Sequence, residues 1–452
     1  MEFTGKQIVQ LWDSGSANRM LNGATSKYYK CVYDIPELGG IRSDGRAKSA
    51  LRTNWTKYVV DQHVGFLTTN DIQYSTNLDD ASGIEYLYEI IQANGLNTID
   101  TEHLHNCLLY GQSVEIHSYS DYGYEIVATK PNEWVFMMDA RDKEVAALRK
   151  AVLPASTFHN GAMLAKDVEL FTLYDNEFIT TYEKSENGLV QTDQIAHNHQ
   201  RMPVIRFRIQ KDNAPFIDSN FFALQRAYDV VRSTLIDDIK YSVDGVLIMK
   251  GVDINALLEK DDDGRILLEK LREMKILPIG QEASVSPLSI TADIEKYRYD
   301  LRVGRSSIHL AGCIPDLTDT VNANGASPSI SGIALKVLYQ SQIQKAGEFA
   351  KYYEQGLRDR ISLINAKSST IFSPLIEDYD IKIQPNIPQA NIEWLQYLTG
   401  LEATLPKMEL YRQLPFLDNP ERVYAEWLAE QDQQKELSGS SNDTSDLEIE
   451  SI

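Results

Sequence analysis

The chain has 452 residues and a formal net charge of −21, with 43% hydrophobic and 24% charged residues. This length predicts roughly two to four folding units, and the hydrophobic content is sufficient for packed cores. The acidic balance argues against a protein that coats nucleic acid by neutralising phosphates, which requires a basic surface. No run of about 18 apolar residues occurs, so we expect no membrane-spanning helix.

Two further features concern the compartment. The amino terminus lacks the basic-then-apolar pattern of a signal peptide. The chain has 3 cysteines, Cys31, Cys107 and Cys313, and their wide spacing favours a reducing compartment over a disulfide scaffold. We therefore expect an acidic, soluble, multidomain protein that is made inside the cell.

The segment up to residue 110 carries mainly helical patterns. A short helix is predicted around Ile8, and residues 28–33 have strand-like content. Residues 48–67 predict a helix, and residues 83–109 predict another that is broken at Asn94-Gly95. Residues 112–210 change to short alternating runs separated by turns such as Asn187-Gly188, which predicts a mixed sheet. Residues 1–216 thus form an α+β part.

Two amphipathic helices follow, over residues 217–243 and 291–314. The apolar positions of the first are Leu224, Tyr228, Val231, Leu235 and Ile239, and its charged positions include Asp229, Arg232, Asp237 and Lys240. The apolar positions of the second are Ile294, Tyr297, Leu301 and Ile308, and its basic positions are Lys296, Arg298, Arg302 and Arg305. Between them, residues 244–290 predict strands at 246–249 and 276–279 and a helix at about 265–273.

The remainder begins with a loop, residues 315–330, which is rich in Gly, Ser and Asn. Residues 331–385 predict a long helix that starts near Ser331, with Gly347 as a bend point, followed by a strand at 379–385. Residues 386–430 predict short helices separated by prolines. The acidic tail, residues 431–452, is predicted to be disordered.

The sequence lacks the common catalytic motifs. The Gly-rich phosphate loop, the dinucleotide fingerprint and the Gly-x-Ser-x-Gly elbow are all absent. A calcium loop centred on Gly264 would place Lys270 where a bidentate Glu is required. Two His-x-His pairs, His103 with His105 and His197 with His199, lack the further ligands of a metal site. We therefore predict no cofactor, no metal and no catalytic activity.

The basic positions of the second amphipathic helix have two interpretations. They alternate with acidic residues, which is typical of a solvated face with ion pairs along the helix. Alternatively, they meet acidic residues of a neighbouring subunit or touch phosphate. The sequence alone leaves both open.

Four stretches resemble a known family in their order along the chain. They are 54–74 (NWTKYVVDQHVGFLTTNDIQY), 224–242 (LQRAYDVVRSTLIDDIKYS), 314–317 (IPDL) and 331–336 (SGIALK). Together with the order of elements, they resemble the portal (head–tail connector) proteins of tailed bacteriophages, in the branch typical of long non-contractile tails. Cys31, where glycine is common, and Thr69-Asn70-Asp71, in place of Gly-x-Pro, depart from the family pattern.

The resemblance implies an α+β, mostly helical fold with a wing, stem, clip and crown. Residues 1–216 and the long helix with its strand, 331–385, would form the wing. Residues 217–243 and 291–314 would be the two stem helices, 244–290 the clip and 386–430 the crown. Residues 315–330 would be a tunnel loop, with Asp316, Asp319, Asn322, Asn324 and Ser327 facing the channel. The stem charges Asp229, Arg232, Asp237, Lys240, Arg298, Arg302 and Arg305 would lie between subunits or along the channel.

The implied function is that of a ring, typically of about twelve subunits, at the portal vertex of the capsid. Double-stranded DNA would pass through it during packaging and ejection. The implied partners are the terminase large subunit, a head–tail adaptor protein, and the major capsid and scaffolding proteins, with assembly in the host cytoplasm and no membrane contact. Two other interpretations stay open: another oligomeric phage head or adaptor protein, and an enzyme that uses the region of His197 and His199.

Overall fold

The computed structural model of the chain describes residues 3–41, 47–76, 78, 80–121, 123–155, 157–159, 162–163, 167–185, 188–243, 246–250, 276–279, 285–288, 294–317, 337–371, 373–386, 406–413 and 420–440. The helices are α1 (Gly5–Ser14), α2 (Ser16–Tyr29), α3 (Trp55–Thr68), α4 (Ser82–Asn94), α5 (Leu96–Tyr110), α6 (Ser219–Val243), α7 (Ile294–Ala311), α8 (Gln340–Ile371), α9 (Lys407–Gln413) and α10 (Pro420–Ser440). None of the described helices is long and apolar enough to cross a membrane.

The strands are β1 (Gln73–Thr76), β2 (Ser113–Ser120), β3 (Gly123–Thr129), β4 (Trp134–Met138), β5 (Glu144–Leu153), β6 (Phe158–His159), β7 (Ala162–Met163), β8 (Val168–Tyr174), β9 (Phe178–Ser185), β10 (Gly188–Ala196), β11 (Val204–Phe207), β12 (Val246–Lys250), β13 (Ile276–Ile279), β14 (Val285–Leu288) and β15 (Tyr379–Lys382). The predicted mixture of helices and strands is therefore confirmed. The chain divides into two compact units: residues 1–26, 58–217 and 313–452 form the first, and residues 27–57 and 218–312 form the second.

In the first unit, residues 112–210 form separate antiparallel sheets, in the orders β10-β9-β8-β5-β4 and β11-β2-β3, so the expectation of one mixed sheet is wrong. The helix α1 covers the first of these sheets and buries Ile8 against Phe171 and Tyr182. Another core joins α4 and α8 to the pair β1–β15. The predicted break between α4 and α5 is confirmed, because Gly95 ends α4 with a φ of 62°.

The long helix α8 is anchored by a buried arginine. Arg360 is 1% exposed, and its Nη2 lies 2.7 Å from Asp100 Oδ1 on α5 and 2.8 Å from Glu115 Oε2 on β2. Its Nε donates a third bond to Glu115 Oε1 at 3.0 Å. The hydroxyl of Tyr353, two turns earlier on α8, also donates to Asp100. These bonds join α8, α5 and β2 through charges that have no access to water.

Glu115 is shared by two buried histidines. His103 and His117 place their Nε2 atoms 3.1 and 2.8 Å from its two oxygens. Their Nδ1 atoms lie 2.7 Å from Ser113 Oγ and 2.8 Å from Tyr124 Oη, which fits two neutral imidazoles that accept from hydroxyls. Burial lowers the pKa of His117. Although burial opposes it, the charge of Arg360 and the histidine bonds hold the pKa of Glu115 well below its usual range.

Three expectations about secondary structure are wrong. Residues 28–33 are not a strand, because α2 continues to Tyr29, and Tyr28 stacks on Tyr33 at 4.1 Å. The helix expected over residues 48–67 begins only at Trp55, because the preceding residues are extended. The tail expected to be disordered from residue 431 is helical to Ser440 in α10, whose Ala, Glu, Gln and Lys residues are strong helix formers. Residues 441–452 lie outside the described residues.

Several boundaries differ only slightly. The second amphipathic helix, expected over 291–314, is α7, and the strands expected at 246–249 and 276–279 are β12 and β13. The helix expected at about 265–273 and the predicted start of the long helix near Ser331 lie outside the described residues, and α8 itself begins at Gln340.

The Arg360 cluster gives a stability prediction. Arg360→Met should reduce the free energy of unfolding by about 3–5 kcal/mol, because two buried carboxylates lose their cation. Urea denaturation measures the change. Arg358→Met is the matched control, since Arg358 pairs with Glu354 on the same helix but is 42% exposed and should cost less than about 1 kcal/mol. Equal losses in the two variants would contradict the prediction.

Candidate functional site

The two predicted stem helices, α6 and α7, pack against each other in the second unit. The Tyr297 hydroxyl donates to the Asp238 carboxylate, and Gly304 lies so close to Tyr228 that an added Cβ would be 3.2 Å from its ring. As residue numbers rise along α7, the contacted positions on α6 fall, so the helices run antiparallel. Their pairing uses the predicted apolar side of α6, where Tyr228 also packs edge-on against Trp55 at 5.7 Å.

A different side of α6 carries four polar residues at intervals of one turn, and all four accept hydrogen bonds from backbone amides of residues 49–56. We call these four bonds the amide ladder. Each is 3.0 Å long, and the pairs are Asp237 with Ser49 N, Ser233 with Leu51 N, Asp229 with Thr53 N and Gln225 with Thr56 N.

The ladder depends on a match between two repeats. Four residues of an α-helix rise about 6 Å, and two residues of an extended chain advance about 6.6 Å. A polar side chain every fourth position on α6 can therefore meet every second amide of the extended segment, in the opposite chain direction. At its end, Gln225 reaches Thr56 in the first turn of α3, where helical amides have no partner within their own helix.

Further bonds surround the centre of the ladder. Tyr33 donates its hydroxyl proton to Asp229, and Gln225 Nε2 donates to Tyr33 Oη at 2.9 Å and to Thr53 O at 2.7 Å. Burial raises the pKa of Asp229, and the bonds from Thr53 and Tyr33 oppose that rise. The amides of Ser49, Leu51, Thr53 and Thr56 thus find acceptors within one subunit.

This arrangement corrects the prediction for two stem charges. Asp229 is fully buried and Asp237 is 8% exposed, so neither carboxylate lies at the surface for a neighbouring subunit or a channel. Periodicity predicted the helix α6, but its five predicted apolar positions are only half-buried or, for Ile239, 39% exposed, whereas the polar residues of the amide ladder are buried. It had no means of detecting that the extended residues 49–56 would need acceptors.

The other stem charges remain at or near the surface. Arg232 is exposed, and Lys240 is exposed while its Nζ donates to Ser49 Oγ at 2.9 Å. On α7, Arg298 is exposed and pairs with Glu295 at 2.8 Å, which is the expected ion pair along a solvated helix face. Arg302 is exposed and Arg305 is half-buried. Their assignment to a subunit interface or a channel stays a prediction.

The predicted loop and bend are only partly described. Asp316 is half-buried, whereas Asp319, Asn322, Asn324 and Ser327 lie outside the described residues. Gly347 lies inside α8, which runs unbroken from Gln340 to Ile371, and an added Cβ at Gly347 would contact nothing within 4 Å. Close packing therefore does not require this glycine, and its role as a bend point stays a prediction.

The histidine pairs do not form a metal site. His103 belongs to the Arg360 cluster, and burial lowers the pKa of His199 to about 4. His197 Nε2 lies 3.0 Å from the carbonyl oxygen of Asp175, and its Nδ1 accepts from His199 N. Within the described ranges, no group of three or more His, Cys, Asp or Glu residues could hold a metal ion.

The described residues of the second unit thus present an antiparallel helical hairpin whose polar side chains bind one another and the backbone of their own chain. The chain belongs to the phage portal family: the family model described as "Phage portal protein, SPP1 Gp6-like" matches residues 18–437. This family is a structural, non-enzymatic component of the phage, which confirms the resemblance drawn from the sequence and excludes the enzyme interpretation. The family also implies an oligomeric ring in the capsid.

Two solved structures are similar in fold. One, "Neck of empty GTA particle computed with C6 symmetry", has a TM-score of 0.44 and 11% identity, and the match covers 81% of this chain and 91% of that one. The other, "Virion of native gene transfer agent (GTA) particle", has a TM-score of 0.40 and 11% identity, with 81% and 90% covered. Curated protein sequences give no significant match.

The amide ladder gives a second stability prediction. Asp229→Ala should reduce the free energy of unfolding by roughly 1–3 kcal/mol, because the Thr53 amide and the Tyr33 hydroxyl lose their acceptor. Urea denaturation and limited proteolysis at residues 49–56 measure the effect. Thr234→Ala is the control, since Thr234 is exposed on the same helix and should change stability by less than about 0.5 kcal/mol. An Asp229→Ala variant as stable as the control would contradict this role.

Proposed function

We propose that the chain forms the portal ring of a phage capsid, typically of about twelve subunits, whose channel passes double-stranded DNA during packaging and ejection. The observation that carries the proposal is the family match over residues 18–437, which includes both stem helices and the loop that follows them. The terminase motor and a head–tail adaptor would dock on this ring, and the major capsid and scaffolding proteins would surround it during assembly in the host cytoplasm.

The proposal assigns each segment of the chain to one region of the portal fold. Residues 217–243 and 291–314 would form the stem, residues 244–290 the clip, and residues 386–430 the crown. Residues 1–216 and 331–385 would form the wing. The antiparallel packing of α6 and α7 supports the stem assignment, because it brings the two ends of the proposed clip segment together at one end of a helical pair.

The charge of the chain suits a conduit. Each phosphate that a protein neutralises releases counterions, and moving the DNA onward must reverse that step. A chain with a net charge of −21 gains little from such binding. The proposed tunnel loop, residues 315–330, has no Lys or Arg, while its two Asp residues repel phosphate. DNA in such a channel would be guided without being held.

The surface cations of the stem have a narrower role in this proposal. Arg232, Lys240, Arg298, Arg302 and Arg305 would supply contacts at the channel wall or between subunits. The exposed ones are spread along two helices and, for Arg298, already balanced by a neighbouring carboxylate. Exposed ion pairs contribute at most about 1 kcal/mol, so each of these cations would add only a weak contact with DNA or a neighbouring subunit.

The loop provides the functional test. Replacing residues 318–328 by a loop of equal length that contains three lysines should slow or stall DNA packaging in a reconstituted motor, because phosphates would be retained at the loop. Packaged DNA per unit time is the readout, and the deficit should shrink as salt is raised. A lysine-free Gly/Ser/Asn loop of the same length is the control. Unchanged packaging with the lysine loop would contradict the guiding role.

A further inference from the structure

One side of α7 is apolar and exposed. Tyr299 is 67% exposed, Val303 is 45% exposed and Leu310 is 80% exposed. At 3.6 residues per turn, the three side chains lie within about 40° of one another around the helix and span about 16 Å along it. They share one side of the helix, which we call the outer stripe of α7.

The outer stripe lies opposite the side that packs within the subunit. Tyr297, Leu301 and Ile308 lie about 160° around the helix from it, and Ile308 is fully buried. The helix therefore has two apolar sides, and the described part of the subunit covers one of them. Large apolar side chains that are exposed together on one side of a helix are candidates for a contact surface.

The family implies an oligomeric ring, so the occupant to consider for this surface is a second copy of the chain. A closed ring of identical subunits requires two different surfaces on each subunit, so that one subunit's first surface meets the next subunit's second surface. The outer stripe supplies the first surface. The second must combine apolar and acidic side chains, because Arg302 lies beside the stripe.

A segment of the same unit has these properties. Val32 is 61% exposed and Ile41 is 72% exposed, and between them Asp34 and Glu37 are exposed as well, with Glu37 lying 3.6 Å from Arg226 of its own subunit. We propose that the outer stripe of one subunit packs on Val32 and Ile41 of the next, with Arg302 facing Asp34. This proposal rests on the ring assembly and adds the two surfaces that make it.

The proposal also limits which side of α7 can face the channel. The subunit's own α6 occupies one side, and the neighbouring subunit would occupy the opposite side. Two sides remain, one with Arg298 and Arg305 and the other with Lys296 and Asp300. One of them faces the channel and the other faces outward.

Cross-linking between differently labelled subunits tests the contact. In a Cys31→Ser, Cys313→Ser background, one preparation carries Val32→Cys and the other carries Val303→Cys. After mixed assembly and treatment with a short bis-maleimide, we expect a covalent dimer from the mixture and none from either preparation alone. Val190→Cys replaces Val303→Cys in the control mixture, because Val190 is similarly exposed, at 53%, on β10.

The outcomes separate this proposal from the proposed function. Rings of normal size with no dimer from the Val32→Cys and Val303→Cys mixture, or with as much dimer from the control mixture, would overturn the contact while the ring stands. Failure of the unsubstituted chain to form rings would instead overturn the ring.

Charge substitution provides an independent readout. Val303→Glu should leave the melting temperature and circular dichroism of the subunit unchanged, because the side chain is exposed. It should raise the subunit concentration at which half of the chains assemble into rings at least tenfold. Val190→Glu should leave assembly unchanged. Normal rings from the Val303→Glu chain, or equal loss in both variants, would overturn the proposal.

Discussion

The backbone of residues 49–53 joins no sheet of the described structure, so its amide hydrogens depend on α6. A fully buried amide without an acceptor costs roughly 1–3 kcal/mol. The amide ladder supplies acceptors for the part-buried amides of Ser49, Leu51 and Thr53 and for the buried amide of Thr56. The rest of the second unit depends on this constraint. One side of α6 binds the extended segment and another packs on α7. The outer stripe of α7 is left exposed by the part of the subunit that the structure describes.

The ladder also explains how a hairpin can be stiff without a large apolar core. The acceptors are short side chains, Asp, Ser and Gln, whose positions are fixed by the helix. Tyr33 joins them to the turn after α2 through Asp229. In the first unit, Arg360 has a comparable role, because it ties α8 to α5 and β2 through two carboxylates. Both networks use buried polar groups with saturated partners, which specify one arrangement of elements more sharply than apolar contacts do.

The sequence allowed the local features to be predicted but not the long-range ones. The break at Gly95, the helical character of α6 and the strand-rich character of residues 112–210 each depend on nearby residues, and these predictions are confirmed. The start of α3 at Trp55 depends on α6, some 170 residues away, so periodicity placed it too early. The burial of Asp229 also depends on distant residues, because the extended segment 49–56 packs over it. The only available signal was a polar residue at every fourth position from Gln225 to Asp237, which a solvated face would also show.

The central claim is that this acidic structural protein forms a closed ring around a channel. Imaging of the purified full-length chain by negative-stain electron microscopy, with particle mass measured in solution, tests it most directly. The account predicts rings with a central hole and a mass of about twelve subunits. A population that stays monomeric or dimeric at all concentrations, with no ring in the images, would contradict it.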